Sequence, residues 1–249
     1  MKQIGAFFDI DGTLYRDSLM VEHFKKLLKI DMIDSSLWHN HLKETYLDWD
    51  KRQVNYDDYL LEIANNYINA LTGLDKKSID FTSELVIKQK ADRVYKYTRS
   101  RIKWHIENNH KVIFISGSPD FLVGKMARKY KATDFRGSGY IFKDNLFTGK
   151  VTPMWDATNK NIAINEFIEK YNIDPKQSFA YGDTNGDLTI LEKVGHPKAI
   201  NPTKELICHS LKSDILRDKI EFILERKDVI YKLDKNLSIL NLNDLGSCE

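Results

Sequence analysis

The chain has 249 residues, 42% of them hydrophobic, which fits one large domain or a domain with an insertion and argues against disorder. Its 38 basic and 36 acidic residues leave a formal charge of +2, so composition gives no electrostatic case for nucleic acid. Cys208 and Cys248 make neither a disulfide framework nor a metal spacing, and no apolar run approaches the ~20 residues of a membrane span.

The opening MKQIGAFFD leads into a strand at 4–9 without a signal-peptide pattern, so a cytoplasmic protein is expected. Residues 17–95 change character. They are polar, helical in pattern and rich in aromatics (Phe24, Trp38, Tyr46, Trp49, Tyr56, Tyr59, Tyr67), which predicts about four helices. A long helix is expected over 83–108, broken near Tyr97. KVIFIS at 111–116 reads as a buried strand, and 120–131 as a helix. Lys125, Arg128, Lys129 and Lys131 read as its solvated face. Alternation around Asp144-Asn145 predicts a hairpin over 140–151. An amphipathic helix follows at 160–171, then a strand at 178–183, a helix at 186–194 and a short strand at 198–201. The tail segment IEFILERKDVIY reads as helix.

Strands alternating with helices predict an α/β fold with a doubly wound, mostly parallel, Rossmann-like sheet. Residues 1–16 and 96–249 would form the core, with 17–95 inserted as a helical cap. In such sheets ligands bind beyond the carboxyl ends of the strands. Three predicted strands end in FFDIDGT, FISGSPD and AYGDTNGD. That places Asp9, Asp11, Asp183 and Asp187 at one edge, with Lys160 opening a helix nearby. Each piece alone is an ordinary turn or cap. Together the carboxylates need a proton or a cation between them, and Mg²⁺, a hard oxygen-seeking ion, fits.

Competing devices fail on spacing. An EF-hand counted from Asp9 puts Leu14 at the glycine position and Met20 at the bidentate position; counted from Asp183 these are Leu188 and Val194. Gly124-Lys125 lacks the rest of a P-loop, and neither G-x-G-x-x-G nor H-E-x-x-H occurs. His39 and His41 read as surface residues.

At these motifs the sequence resembles the haloacid dehalogenase-like superfamily, in its phosphoserine-phosphatase-like branch. DIDGT matches D-x-D-G-T, ISGS the strand ending in Ser or Thr, Lys160 the basic residue at a helix start, and GDTNGD the G-D-x-x-x-D motif. The resemblance implies Asp9 as nucleophile and Asp11 as general acid, then base. It implies Mg²⁺ held by Asp9, Asp183 and the Asp11 carbonyl, with Asp187 orienting a metal-bound water. Ser116, Gly117 and Lys160 would hold phosphate oxygens, and Thr13 would brace the loop. The implied substrate is a small-molecule phosphate ester. A phosphotransferase or phosphomutase would use the same intermediate, and a non-enzymatic phospho-acceptor resembling receiver domains is a third class. The second Asp sets phosphate chemistry apart from the family's carbon–halogen cleavage. Ser18 stands where phosphoserine phosphatases carry a Glu that reads the substrate amine, a departure from the pattern on which phosphoserine recognition rests. Trp49, Lys51 and Arg52 read as cap core or surface.

Overall fold

A computed structural model of the chain describes residues 2–34, 36, 44, 47–48, 51, 56–234 and 236. Trp38, His39, His41, Tyr46, Trp49 and Arg52 lie outside them. One eight-stranded sheet organises the molecule, with spatial order β4-β3-β2-β1-β5-β6-β7-β8. The strands are β1 (Gly5–Phe8), β2 (Lys111–Pro119), β3 (Asp134–Lys143), β4 (Leu146–Thr152), β5 (Phe179–Gly182), β6 (His196–Ile200), β7 (Glu221–Arg226) and β8 (Val229–Leu233). β4 and β8 are antiparallel edges; the six strands between them are parallel. Winding starts at β1, goes outward through β2 and β3, then reverses to β5, β6 and β7. The reversal leaves a crevice between the ends of β1 and β5, the place where doubly wound sheets bind ligands.

Period-two alternation splits the strand residues between two cores. Ala6, Phe8, Val112, Phe114 and Tyr181 face α4 (Lys96–Glu107) and α5 (Asp120–Lys129). Phe7, Ile113, Ile115, Ala180, Ala199 and Phe222 face α6 (Ala157–Lys170), α7 (Leu188–Lys193) and α8 (Lys204–Lys212). Both faces are covered, so the strands read as continuous apolar runs.

Among the described residues, between β1 and α4 lie α1 (Leu19–Lys29), α2 (Tyr56–Leu71) and α3 (Lys76–Lys90). Val21, Phe24, Ile63, Tyr67, Leu71 and Ile79 form a third cluster, closed from the hairpin side by Tyr140 and Phe147. The hairpin turns as its sequence suggests: Asp144 and Asn145 have φ of 51° and 66°, the left-handed pair of a tight two-residue turn.

Three expectations need correction. The segment 83–108 is two helices, α3 and α4, separated at 91–95. Lys125 is not solvated: it is 6% exposed and its ammonium meets Asp80 of α3. The tail IEFILERKDVIY is not helical but forms the β7–β8 hairpin, turning at Lys227 (φ 51°). Phe222 and Ile223 are drawn into the two opposite cores, a period of two that a short apolar run does not distinguish from helix. The hairpin also does local work. Tyr95, the N-cap of α4, makes no side-chain cap bond, and Glu225 of β7 accepts instead from Lys96 N and Tyr97 N, both at 2.9 Å.

Beneath the sheet, His105 of α4 contacts the Tyr181 hydroxyl through Nε2 at 2.9 Å and His110 through Nδ1 at 2.8 Å. Burial first, then the His110 charge, lowers its pKa to about 3. The unfolded chain protonates this residue near pH 6.5 and the fold does not, so its contribution to stability is lost as pH falls from about 6.5 toward 3. Urea denaturation at pH 7.5 and 5.5 should show His105→Gln losing less stability over that interval than the wild type, by about 1.4 kcal/mol in all, since only the unit below pH 6.5 counts. Equal losses in both proteins would rule this out.

Candidate active site

The backbone beyond β1 folds back at once. Ile10 O accepts from Thr13 N, Leu14 N and Tyr15 N at 3.3, 2.8 and 2.7 Å. Gly12 makes the turn at φ 81°, and a side chain there would run into the Asp183 carboxylate. Asp9 and Asp11 therefore leave the strand in different directions and meet different partners.

Asp9, 4% exposed, faces Lys160, whose ammonium donates to Asp9 Oδ1 at 2.7 Å and Asp187 Oδ1 at 2.6 Å. Lys160 does not open its helix. Asp156 is the N-cap, accepting from Asn159 N at 2.8 Å, and the helix begins at Ala157. This turns Lys160 inward from the first turn, 3% exposed. Asp187 Oδ2 accepts from Asp183 N at 3.0 Å and Thr184 N at 3.2 Å. Gly182 leaves the room for that return, since a side chain there would overlap Asp187. Thr13 Oγ1 donates to Asp183 Oδ1 at 2.8 Å.

Asp9, Asp183 and Asp187 each offer a carboxylate oxygen within 4.8 Å of the others, all buried. At an effective dielectric of ~20, two charges that far apart repel by roughly 3–4 kcal/mol. Burial raises the Asp9 pKa well above the usual carboxylate range; Lys160 opposes, while Asp187 and Asp11 add to the rise. Burial does the same at Asp183, with Asp9 and Asp187 adding to it. Burial disfavours the Lys160 ammonium, yet attraction to Asp187 and Asp9 outweighs that and raises its pKa. The lysine is charged and the three acids exceed what it can neutralise. Their hard oxygen donors fit a small divalent cation.

Asp11, half-buried, turns the other way. Its Oδ1 accepts from Leu19 N at 3.0 Å, and its Oδ2 from Ser118 Oγ at 2.5 Å, with Ser18 Oγ at 3.5 Å. Ser18 is the N-cap of α1, so this carboxyl lies at the start of the first inserted helix. Burial raises its pKa to about 6, against the bonds from Ser118 and Leu19. Ser116 and Gly117 lie on the same loop as Ser118, and Ser116 Oγ accepts from Ser118 N at 3.2 Å.

Hydrogen bonds thus join Asp9, Lys160, Asp187, Asp183 and Thr13 in one network, and connect Asp11 to Ser116 through Ser118. Ser118 and the Leu19 amide are additions to the sequence reading. The serine sits within the SGSP motif, but a backbone amide leaves no trace in residue identity.

A family model described as haloacid dehalogenase-like hydrolase matches residues 6–192. The chain belongs to that family. A phosphoserine phosphatase of Mycobacterium tuberculosis is 26% identical over 210 residues, covering 81% of this chain and 66% of that protein, so the chain spans about two thirds of it. A histidinol-phosphatase of Neisseria meningitidis is 21% identical over 216 residues, covering 81% and 91%. A solved phosphoserine phosphatase, a phospho-aspartyl intermediate analogue, shares the fold with a TM-score of 0.56 at 18% identity, covering 83% of this chain and 90% of its own. Among the described residues no helix is long and apolar enough to cross a membrane.

If the buried acids repel as described, Asp183→Asn should melt higher than wild type in EDTA, by roughly 2–4 °C per kcal/mol relieved. It should also lose the upward shift that Mg²⁺ gives the wild type. Thermal melts in EDTA and in Mg²⁺ check both; a variant that melts lower in EDTA and still responds to Mg²⁺ contradicts the account.

Proposed function

We propose that the chain is a Mg²⁺-dependent phosphomonoesterase that cleaves a small-molecule phosphate ester through an aspartyl-phosphate on Asp9. The observation that carries this reading is the separation of two neighbouring carboxyls. Asp9 sits beside Lys160 among the buried acids, whereas Asp11 sits apart, with a pKa near the middle of the biological range at about 6. A nucleophile and an acid/base need those different surroundings.

In the proposed first step an Asp9 carboxylate oxygen bonds to phosphorus as the ester P–O bond breaks. Asp11 gives its proton to the departing oxygen, so the alcohol leaves neutral. In the second step Asp11, now ionised, takes a proton from water. The water oxygen bonds to phosphorus, the bond to Asp9 breaks, and inorganic phosphate departs. Dividing hydrolysis in this way replaces one hard step with two easier ones. Mg²⁺, held by Asp9, Asp183 and the Asp11 carbonyl with Asp187 alongside, would supply positive charge to offset that of the phosphoryl oxygens. An ammonium has three donors; Asp9 and Asp187 take two from Lys160, leaving one for a phosphate oxygen. Ser116 Oγ and the Gly117 amide would hold the others, and Thr13 keeps Asp183 in place. Residues 17–95, with α1, α2 and α3, are proposed as the cap over this pocket.

Similar proteins carry the names of different substrates, and the chain itself points away from phosphoserine. Ser18 provides a cap hydroxyl where an amine-reading carboxylate is expected. Glu22, one helical turn further on, is engaged by Lys90 at 3.4 Å and Arg93 at 3.5 Å.

Hydrolysis of p-nitrophenyl phosphate should require Mg²⁺, stop in EDTA, and fall by ~10³-fold or more in Asp9→Asn. Turnover that survives EDTA or the Asp9 substitution would sink the reading.

A further inference from the structure

We propose that Ser118 is a positioning residue for Asp11, its hydroxyl fixing the carboxyl that delivers the proton to the leaving oxygen. This rests on the phosphatase reading above.

The placement comes from a break in the sheet. β2 pairs with β3 at Ile115↔Arg136 and next at Pro119↔Ser138, so four steps along β2 oppose two along β3. The surplus residues bow out of the ladder, as bulges do where a strand re-aims a side chain near a site. Ser116, Gly117 and Ser118 make up the bow. It is held from the β3 side, where Ser138 Oγ donates to the Gly117 carbonyl at 2.7 Å and accepts from Met154 N at 3.1 Å. Ser118 is 3% exposed, so its hydroxyl sits among protein groups. It donates to Asp11 Oδ2 at 2.5 Å, the short end of the range for a hydroxyl on a carboxylate.

The Leu19 amide holds the other oxygen at 3.0 Å. Two donors, one from the bulge and one from α1, therefore fix both ends of the Asp11 carboxyl and its rotation. Neither gives up a proton at neutral pH. Each oxygen retains a second lone pair that can carry the transferable proton. Without the Ser118 hydroxyl, only Ser18 Oγ at 3.5 Å remains at Oδ2, too long to fix it.

A residue acting through the general acid matters in proportion to the need for that acid. A p-nitrophenolate leaves unaided; an alkoxide does not. The experiment measures kcat/KM in Mg²⁺ for p-nitrophenyl, phenyl and an alkyl phosphate, with wild type, Ser118→Ala, Ser118→Thr and Asp11→Asn. Ser118→Ala should stay within about threefold of wild type on p-nitrophenyl phosphate and lose ~10-fold or more on the alkyl ester, part of the 10²–10⁴ a general acid contributes. Asp11→Asn should show the same trend more steeply, and Ser118→Thr, which keeps a hydroxyl, should recover most of the loss. An equal loss for every leaving group would mean that Ser118 serves binding or folding, and no loss on the alkyl ester would mean that Asp11 does not depend on it; either overturns the proposal. Should Ser118→Ala not fold, Ser118→Cys, with a weak donor of similar shape, must show the same leaving-group bias or the proposal falls. A wild type that turns over no ester removes the phosphatase reading and the positioning role with it, a result separable from any effect of the Ser118 variants.

Discussion

The Lys160 ammonium, suspended between Asp9 and Asp187, is the contact around which the rest of the site is arranged. Asp9 leaves β1, Asp187 lies on the turn after β5, and Lys160 comes from a helix that crosses over the second face of the sheet. Three chain segments are brought to one point by one buried cation. Burying a lone charge is costly, and removing one partner from such a group leaves an uncompensated charge behind. The surroundings bear the marks of that requirement. Asp156 caps the helix so that Lys160 points inward. Gly12 and Gly182 carry no Cβ, which leaves room for Asp183 and Asp187 to close up. Thr13 and two backbone amides take the carboxylate oxygens that the lysine does not reach.

Asp11 has different hydrogen-bond partners from Asp9, two residues away, although its charge is felt there. Its partners lie on α1 and on the β2 bulge, not among the acids. The opposite side of α1 packs Val21, Phe24 and Leu27 into the cluster shared with α2 and the β3–β4 hairpin. The carboxyl proposed for proton transfer is thus tied to the inserted helices, and the proposed nucleophile to the sheet. A displacement of α1 would change the donors at Asp11 and leave those at Asp9 alone.

Much of this was legible in the sequence. The apolar runs ending in DIDGT, ISGS and YGD name three strands and place their polar residues at one edge, because a parallel sheet buried on both faces needs such runs. Asp144-Asn145 announces its hairpin through residues that tolerate positive φ. The tail was misread because a short apolar stretch has no clear period, and its strand identity is set by the β6 edge it pairs with. Lys125 looked solvated because its partner, Asp80, lies 45 residues away in another helix. The Leu19 amide could not be seen, since it belongs to the backbone. Ser118 was visible in SGSP, yet its aim depends on a register shift that residue type does not encode.

The central position of β1 bears on the order in which the molecule can be made. Its ladders are with residues 111–114 on one side and 179–181 on the other. During synthesis GAFF emerges before either of its partners, and the second follows only after β5 is translated. At ~5–20 residues per second that is roughly 10–35 s with an apolar strand unpaired on at least one edge. Because loop-closure cost rises only slowly with length, the inserted helices add little to the final stability deficit. What they lengthen is the wait. The helices α1–α3, which share a cluster with the hairpin, are all made before the strands that close around β1.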